Sequence, residues 1–247
     1  MCVTQNDARS NDASSVVKKE KPRIFTYDNK LIAIQKDQNM KLAKLISFIP
    51  RLQGTGFMYV YNFQDIVSNA ISNGGTFEAH LNKRFIALMN IHPDAKFIDF
   101  GANIGLYSLI AAHMKREVAA IEANPRNAAV FLKSIEHNKF SSNINLLNLA
   151  VGQESNKVVS LATENGNMGN TIVQEKSNGA KLYDNHGRVN QNIRKSRFTD
   201  IKTITMNDLA KTHLSHYKKA IVKMDIQGHE LKVGLARVHE LIECIGY

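Results

Sequence analysis

The pattern of apolar and polar positions between Lys96 and Pro125 predicts the central unit of the chain. Phe97 and Ile98 begin a short apolar run that is typical of a buried strand. Apolar residues then recur at helical spacing, at Leu106, Leu109, Ile110 and Met114. A second apolar run follows from Val118 to Ile121. The pattern therefore predicts a strand, a helix and a second, parallel strand.

Apolar runs and helix start signals predict further elements on the C-terminal side of this unit. Asn124 and Pro125 are typical of a helix N-cap and of the first helical position. Asn207 is the predicted cap of another helix that starts at Asp208. The predicted strands are Ile144 to Leu149, 157–162, Ile201 to Thr205 and Ala220 to Met224.

Two stretches between these strands lack a regular apolar period. Asn165 to Thr171 contains two glycines and three asparagines and predicts a surface loop. Residues 176–198 are rich in Lys, Arg, Asn and Gly and predict a long basic loop, which is either functional or a solvated insertion.

Residues 24–90 predict a cap segment that precedes the core. Residues 24–37 alternate well enough for a β-hairpin, with Asp28 and Asn29 as its turn. Two helices are predicted, at Gln64 to Ser72 and at His80 to Met89.

The turn that leaves the first strand of the central unit predicts a nucleotide site. Gly101 and Gly105 have no Cβ, so we expect a sharp turn that lets a ligand approach the backbone closely. The helix that begins near Gly105 directs free N–H groups at the same crevice. Glu122 lies 21 residues beyond Gly101, where an acid at the tip of the second strand is expected to bind ribose hydroxyls.

The spacing of the turn favours one nucleotide over another. A dinucleotide-binding fold has a middle glycine in G-x-G-x-x-G, but position 103 is Asn103. Asp99, two residues before Gly101, would repel a pyrophosphate and would attract a ligand that carries an ammonium and a sulfonium. These residues indicate S-adenosylmethionine as the cofactor.

Four segments of the chain resemble the FkbM family of class I SAM-dependent methyltransferases. They are FIDFGANIGLYS at 97–108, IEANP at 121–125, NLAVG at 148–152 and KMDIQGHE at 223–230. The resemblance implies a Rossmann-like, doubly wound α/β sheet and transfer of a methyl group to a hydroxyl oxygen of a glycan or small molecule. It also implies that Ala150 and Val151 lie beside the adenine ring. Gln227 departs from the family's usual Glu.

The resemblance and the chemistry of methyl transfer together nominate site residues. A hydroxyl acceptor has to lose its proton, and the end of the strand at Ala220 to Met224 is expected to face the reacting methyl. Asp225, His229 and Glu230 are therefore the candidate catalytic residues. The expected cofactor-binding residues are Asp99, Gly101, Asn103, Gly105, Glu122, Ala150, Val151 and Asp225. A third ligand for a cation beside Asp225 and Glu230 cannot be identified, so no metal is expected.

Charge and cysteine content narrow the class of protein. Two cysteines in 247 residues do not form a disulfide scaffold, and the chain as given predicts a cytoplasmic enzyme without a membrane span. The net charge of +10 is concentrated at the N-terminus and in the basic loop. Residues 1–23 predict a disordered basic arm, and the basic stretches leave a nucleic-acid-binding protein as an alternative.

The apparent number of strands raises a second alternative. The core is expected at 91–247, with a fifth strand beginning only at Ile242 to Tyr247. The final two strands of a class I methyltransferase are then missing, and we expect a truncated chain that is a catalytically inactive binding module. The exposed fifth strand is expected to promote self-association.

Overall fold

The computed structural model describes residues 39–45, 56–164, 167–174 and 199–226. The central strands are β3 (Lys96–Phe100), β4 (Val118–Ile121), β5 (Ile144–Leu147) and β10 (Ala220–Met224). The remaining strands are β1 (Met40–Leu45), β2 (Gly56–Tyr61), β6 (Ala150–Val151), β7 (Val158–Glu164), β8 (Asn167–Gln174) and β9 (Thr199–Ile204). The helices are α1 (Ile66–Gly74), α2 (Ala79–Ile91), α3 (Leu106–His113), α4 (Pro125–His137) and α5 (Met206–Thr212).

The central sheet is parallel and has the order β10-β3-β4-β5. Its strands are apolar almost throughout because both faces are covered. Phe97 and Val118 belong to the apolar cluster that includes residues of α2, α3 and α4. Ile98 and Ala119 point to the opposite cluster, which contains Leu209 of α5. Helices on both faces confirm the predicted Rossmann-like, doubly wound α/β sheet.

Strand β2 of the β1–β2 hairpin packs against α4, and helix α1 packs against the hairpin. The Tyr59 backbone N–H donates to Ser134 Oγ at 2.8 Å, and Asn138 Nδ2 donates to the Phe57 carbonyl at 2.7 Å. Met58 and Val60 are fully buried in the same apolar cluster as α4. This part of the predicted cap segment therefore shares a hydrophobic core with the sheet.

A second sheet with the order β6-β9-β7-β8 corrects the loop predicted at Asn165 to Thr171. Strand β8 begins at Asn167 and pairs antiparallel with β7. Met168 is 8% exposed, and its backbone N–H and carbonyl are both hydrogen-bonded to side chains of other elements. Tertiary hydrogen bonds and burial thus outweigh the local preference of glycine and asparagine for turns.

The predicted N-cap of α4 is confirmed, and the predicted N-cap of α5 is wrong. Asn124 caps α4 by accepting from the Arg126 N–H at 3.0 Å, and Pro125 is the first residue of the helix, as predicted. Helix α5 is capped by Thr205, whose hydroxyl accepts from the Asp208 N–H at 3.1 Å, and not by Asn207. Thr205 has the extended backbone that an N-cap requires, whereas Asn207 already lies inside the helix.

Several predictions concern residues outside the described ranges. These are the hairpin at 24–37, the basic arm at 1–23, the basic loop at 176–198 and the fifth strand at 242–247. Across the ranges that the structure does describe, no helix has the length and apolar character needed to cross a membrane.

Candidate functional site

The carboxyl edge of the central sheet contains a topological switch point. The chain runs from β3 to β4 and β5 on one side of β3 and returns to β10 on its other side. The Asp225 N–H donates to the Phe100 carbonyl at 3.0 Å, and the Gly101 N–H donates to the Ile121 carbonyl at 2.9 Å. Open α/β sheets bind their ligands at such a point.

The glycine turn makes the predicted sharp turn, and both glycines also pack closely against other elements of the protein. Gly101 has φ +71°, and a Cβ there would lie 1.8 Å from the Asp225 carbonyl oxygen. Gly105 has φ +92°, and its Cβ would lie 2.1 Å from the ring of Phe131. The two glycines therefore admit the end of β10 and a core ring of α4. Their predicted contact with a ligand stays a prediction.

Glu122, at the tip of β4, is 6% exposed and is held by neutral N–H groups. Its Oε2 accepts from the Asn103 backbone N–H at 2.7 Å, and its Oε1 accepts from the Asn124 backbone N–H at 2.8 Å. Burial raises the pKa of Glu122 to about 7, against the lowering effect of these hydrogen bonds, of Asn127 and of the Lys223 charge. The structure therefore brings Asn103 and Glu122 together.

Asp99, at the tip of β3, is fully buried and already has partners on both carboxylate oxygens. Ser108 Oγ donates to Oδ2 at 2.7 Å, and Lys223 Nζ donates to Oδ1 at 3.1 Å. Lys223 Nζ also donates to the Gly101 carbonyl at 3.0 Å. Burial lowers the pKa of Lys223, but the charges of Asp99 and Asp225 outweigh burial and raise the pKa overall.

Three of the remaining predicted site residues are described by the structure, and they lie in two places. Asp225 is exposed at the tip of β10, next to Gly101. Ala150 and Val151 form β6, which pairs with β9 in the second sheet. Ala150 is buried in an apolar cluster that contacts Ala123, the residue after Glu122. His229 and Glu230 lie outside the described residues.

Residues that were not predicted complete the surroundings of this edge. Asn148 Nδ2 donates to the Glu122 carbonyl at 2.7 Å and to the Ala123 carbonyl at 3.1 Å, which joins the tips of β4 and β5. Lys223 had a signal in the sequence, because it is a charged residue inside an otherwise apolar strand. Asn148 had a weaker signal as the first residue of the NLAVG segment, since an asparagine after a strand is equally typical of an ordinary turn.

Two further observations on the described ranges concern an apolar cavity and the possible ligands of a metal ion. A mainly apolar cavity of about 380 Å³ lies between α2 and β10, lined among others by Phe85, Phe97 and Ile221. Neither Glu122 nor Asp225 lines it, but Lys223, the partner of Asp99, does. The parts of the chain that the structure describes contain no group of three or more His, Cys, Asp or Glu side chains suited to a metal ion.

Comparison with known families matches residues 99–233 to the methyltransferase FkbM domain. The matched region is more than half of the chain and contains the glycine turn, Glu122 and Asp225. No curated protein and no solved structure matches the chain. The fold and this match define a Rossmann-like methyltransferase, and the chain belongs to the FkbM methyltransferase family.

Proposed function

We propose that this chain binds S-adenosylmethionine and transfers its methyl group to a hydroxyl oxygen of a glycan or small molecule. The observation that carries the proposal is Glu122, a buried carboxylate at the tip of β4 beside the switch point, in a chain that belongs to a methyltransferase family. Carboxylates at this position bind the two hydroxyls of a ribose in nucleotide-binding sheets of this kind.

The charges at the carboxyl edge suit the proposed cofactor. Glu122 Oε1 accepts from both Asn124 and Asn127, whereas Oε2 accepts from the Asn103 N–H, which leaves a lone pair on Oε2 for a ribose hydroxyl. Asp225 is exposed at the tip of β10 and supplies a negative charge for an ammonium group. Asp99 is fully buried whereas Asp225 is exposed, so we assign the ammonium contact to Asp225 in place of Asp99. A dinucleotide would instead place a pyrophosphate beside these carboxylates.

The reaction asks little of the protein beyond orientation and proton removal. The bound cofactor supplies an activated methyl group for in-line displacement. Asp225 is positioned by the bond of its N–H to Phe100, at the strand tip where an acceptor hydroxyl would be held. We propose that Asp225, His229 or Glu230 takes the hydroxyl proton while the oxygen forms its bond to the methyl carbon.

Calorimetric titration of the full chain with S-adenosylhomocysteine, and separately with NAD, tests the cofactor. The titration is run above pH 7, where Glu122 is ionised. We expect the homocysteine product to bind and Glu122→Gln to weaken it about tenfold, because a ribose hydroxyl then loses a charged acceptor. Glu154→Gln, at an exposed position, is the matched control and should bind like the wild type. Binding of NAD alone would overturn the proposal.

A screen with a methyl-tritiated cofactor tests the acceptor. Glycan and small-molecule fractions that contain hydroxyl groups should become labelled with an alkali-stable ether. Label that appears only on amines, thiols or carboxyl groups would reject hydroxyl specificity while leaving the methyltransferase class intact.

A further inference from the structure

A closed ring of buried hydrogen bonds lies directly behind Glu122. Tyr61 Oη donates to Asn127 Oδ1 at 2.8 Å, and Asn127 Nδ2 donates to the Met168 carbonyl at 3.1 Å. The Met168 N–H donates to Asp65 Oδ1 at 3.0 Å, and Asp65 Oδ2 accepts from the Ser68 N–H at 2.9 Å. Ser68 Oγ then accepts from the Tyr61 N–H at 3.1 Å, which closes the ring.

The ring joins the neighbouring elements β2 and α1 to α4 and β8, which are far from them in the sequence. Tyr61 ends β2, Asp65 caps α1, Asn127 lies in the first turn of α4 and Met168 lies in β8. Tyr61, Asp65 and Asn127 are each at most 4% exposed. Because buried polar groups are costly without partners, these residues hold one another in a single arrangement.

Asn127 also reaches Glu122 from this ring. Its Nδ2 lies 3.4 Å from Glu122 Oε1, on the side of the carboxylate that also accepts the Asn124 N–H. The hydroxyl of Tyr61 donates to Asn127 Oδ1, so the amide nitrogen has to face Met168 and Glu122. Burial, together with the charges of Asp65 and Glu122, raises the pKa of Tyr61, so the hydroxyl keeps its proton and remains a donor.

We infer that Asn127 is a positioning residue for the Glu122 carboxylate and that Tyr61 fixes the orientation of its amide. The inference rests on the proposed function, since it assigns Glu122 to the cofactor ribose. It makes β2 and α1 part of the cofactor site, although both precede the matched family region. The charged groups that face this network are Lys223 from β10, Asp65 before α1 and Arg126 in α4.

The first test measures the titration of Glu122 in the ligand-free full chain by carboxyl carbon NMR, with Glu122→Gln assigning the signal. Asn127→Ala and Tyr61→Phe each remove or misdirect a donor to the carboxylate. We expect the midpoint of Glu122 to rise by about half a pH unit or more in both variants. Tyr59→Phe removes a hydroxyl from the same strand, outside the ring, and should leave the midpoint unchanged.

Circular dichroism checks that each variant is folded. If Asn127→Ala does not fold, Tyr61→Phe decides the result, because it removes only one oxygen atom. A Glu122 midpoint that stays at the wild-type value in a folded Tyr61→Phe variant and in any folded Asn127→Ala variant would overturn the inference. A purely structural role for the ring would lower stability without moving that midpoint.

The second test follows binding of S-adenosylhomocysteine to the same variants across the pH range around 7. We expect Asn127→Ala to weaken binding about tenfold and Tyr61→Phe about threefold, with the acid limb of the binding curve shifted to higher pH. If both variants bind S-adenosylhomocysteine as tightly as the wild type, the inference about Asn127 and Tyr61 is contradicted and the proposed function is not. Failure of the wild type to bind contradicts the proposed function as well.

Discussion

Two buried carboxylates lie at the tips of neighbouring strands, Asp99 on β3 and Glu122 after β4. They differ in whether a cation is in direct contact with the carboxylate. Asp99 is paired with the cation of Lys223 and with the hydroxyl of Ser108. Glu122 accepts from backbone N–H groups that carry no formal charge. Burial consequently dominates at Glu122 and raises its pKa to about 7.

The difference indicates a division of roles between the two strand tips. A carboxylate that already has a cation and a hydroxyl as partners has its charge compensated by the fold, so removing its cation is costly. A carboxylate that is buried at a cost, without a cation in direct contact, is typical of a site that awaits a ligand. We therefore propose that Asp99 supports the architecture of the switch point and that Glu122 binds the ligand.

The largest expected effect comes from removing the cation beside Asp99. Lys223→Met should destabilise the protein by about 4 kcal/mol, because a buried carboxylate loses its charge partner. Denaturant unfolding measures the change. Lys219→Met is the matched control, since Lys219 pairs with Asp94 at the surface and should contribute little. Equal losses of stability in Lys223→Met and Lys219→Met would show that Asp99 depends on its cation no more than a surface carboxylate does. The contrast between Asp99 and Glu122 would then fail.

The next effect concerns the glycine turn that connects the two tips. Gly105→Ala places a methyl group against Phe131 and forces a left-handed backbone, so we expect a loss of about 3 to 4 kcal/mol. Gly74→Ala is the control, because a Cβ there meets nothing within 4 Å, and the change should be neutral or slightly stabilising. Thermal unfolding of both variants checks the turn, and a tolerated Gly105→Ala would show that Phe131 moves away freely.

The third prediction concerns the pH dependence of stability that the raised pKa of Glu122 causes. The unfolded Glu122 loses its proton near pH 4.5, whereas the folded one keeps it up to about pH 7. The stability contributed by this difference is present below pH 4.5 and is lost as pH rises through 7. The free energy of unfolding of Glu122→Gln, relative to wild type, should therefore rise by about 3 kcal/mol across that window. A flat difference between the two proteins would show that Glu122 does not titrate abnormally.

Much of the architecture was predictable from local patterns. Apolar runs and helical periodicity predicted strands β3, β4 and β10 and helices α1 to α4. Wherever a boundary was predicted, the observed boundary differs from it by two residues or fewer. Burial on both faces of a parallel sheet imposes these patterns directly on the sequence. The loop predicted at Asn165 to Thr171 was wrong, because Met168 is held by Asp65 and Asn127 from distant parts of the chain.

The sequence by itself determined the parallel α/β core, the sharp turn at Gly101 and Gly105 and the acid at the tip of β4, since each depends on neighbours close along the chain. Only the tertiary structure decided that Asp99 is paired with Lys223, 124 residues away. It also decided that Glu122 is connected through Asn127 to Tyr61, 66 residues before that asparagine. Hydrogen bonds and charge compensation depend on which side chains meet in space, and that information is spread over the whole chain.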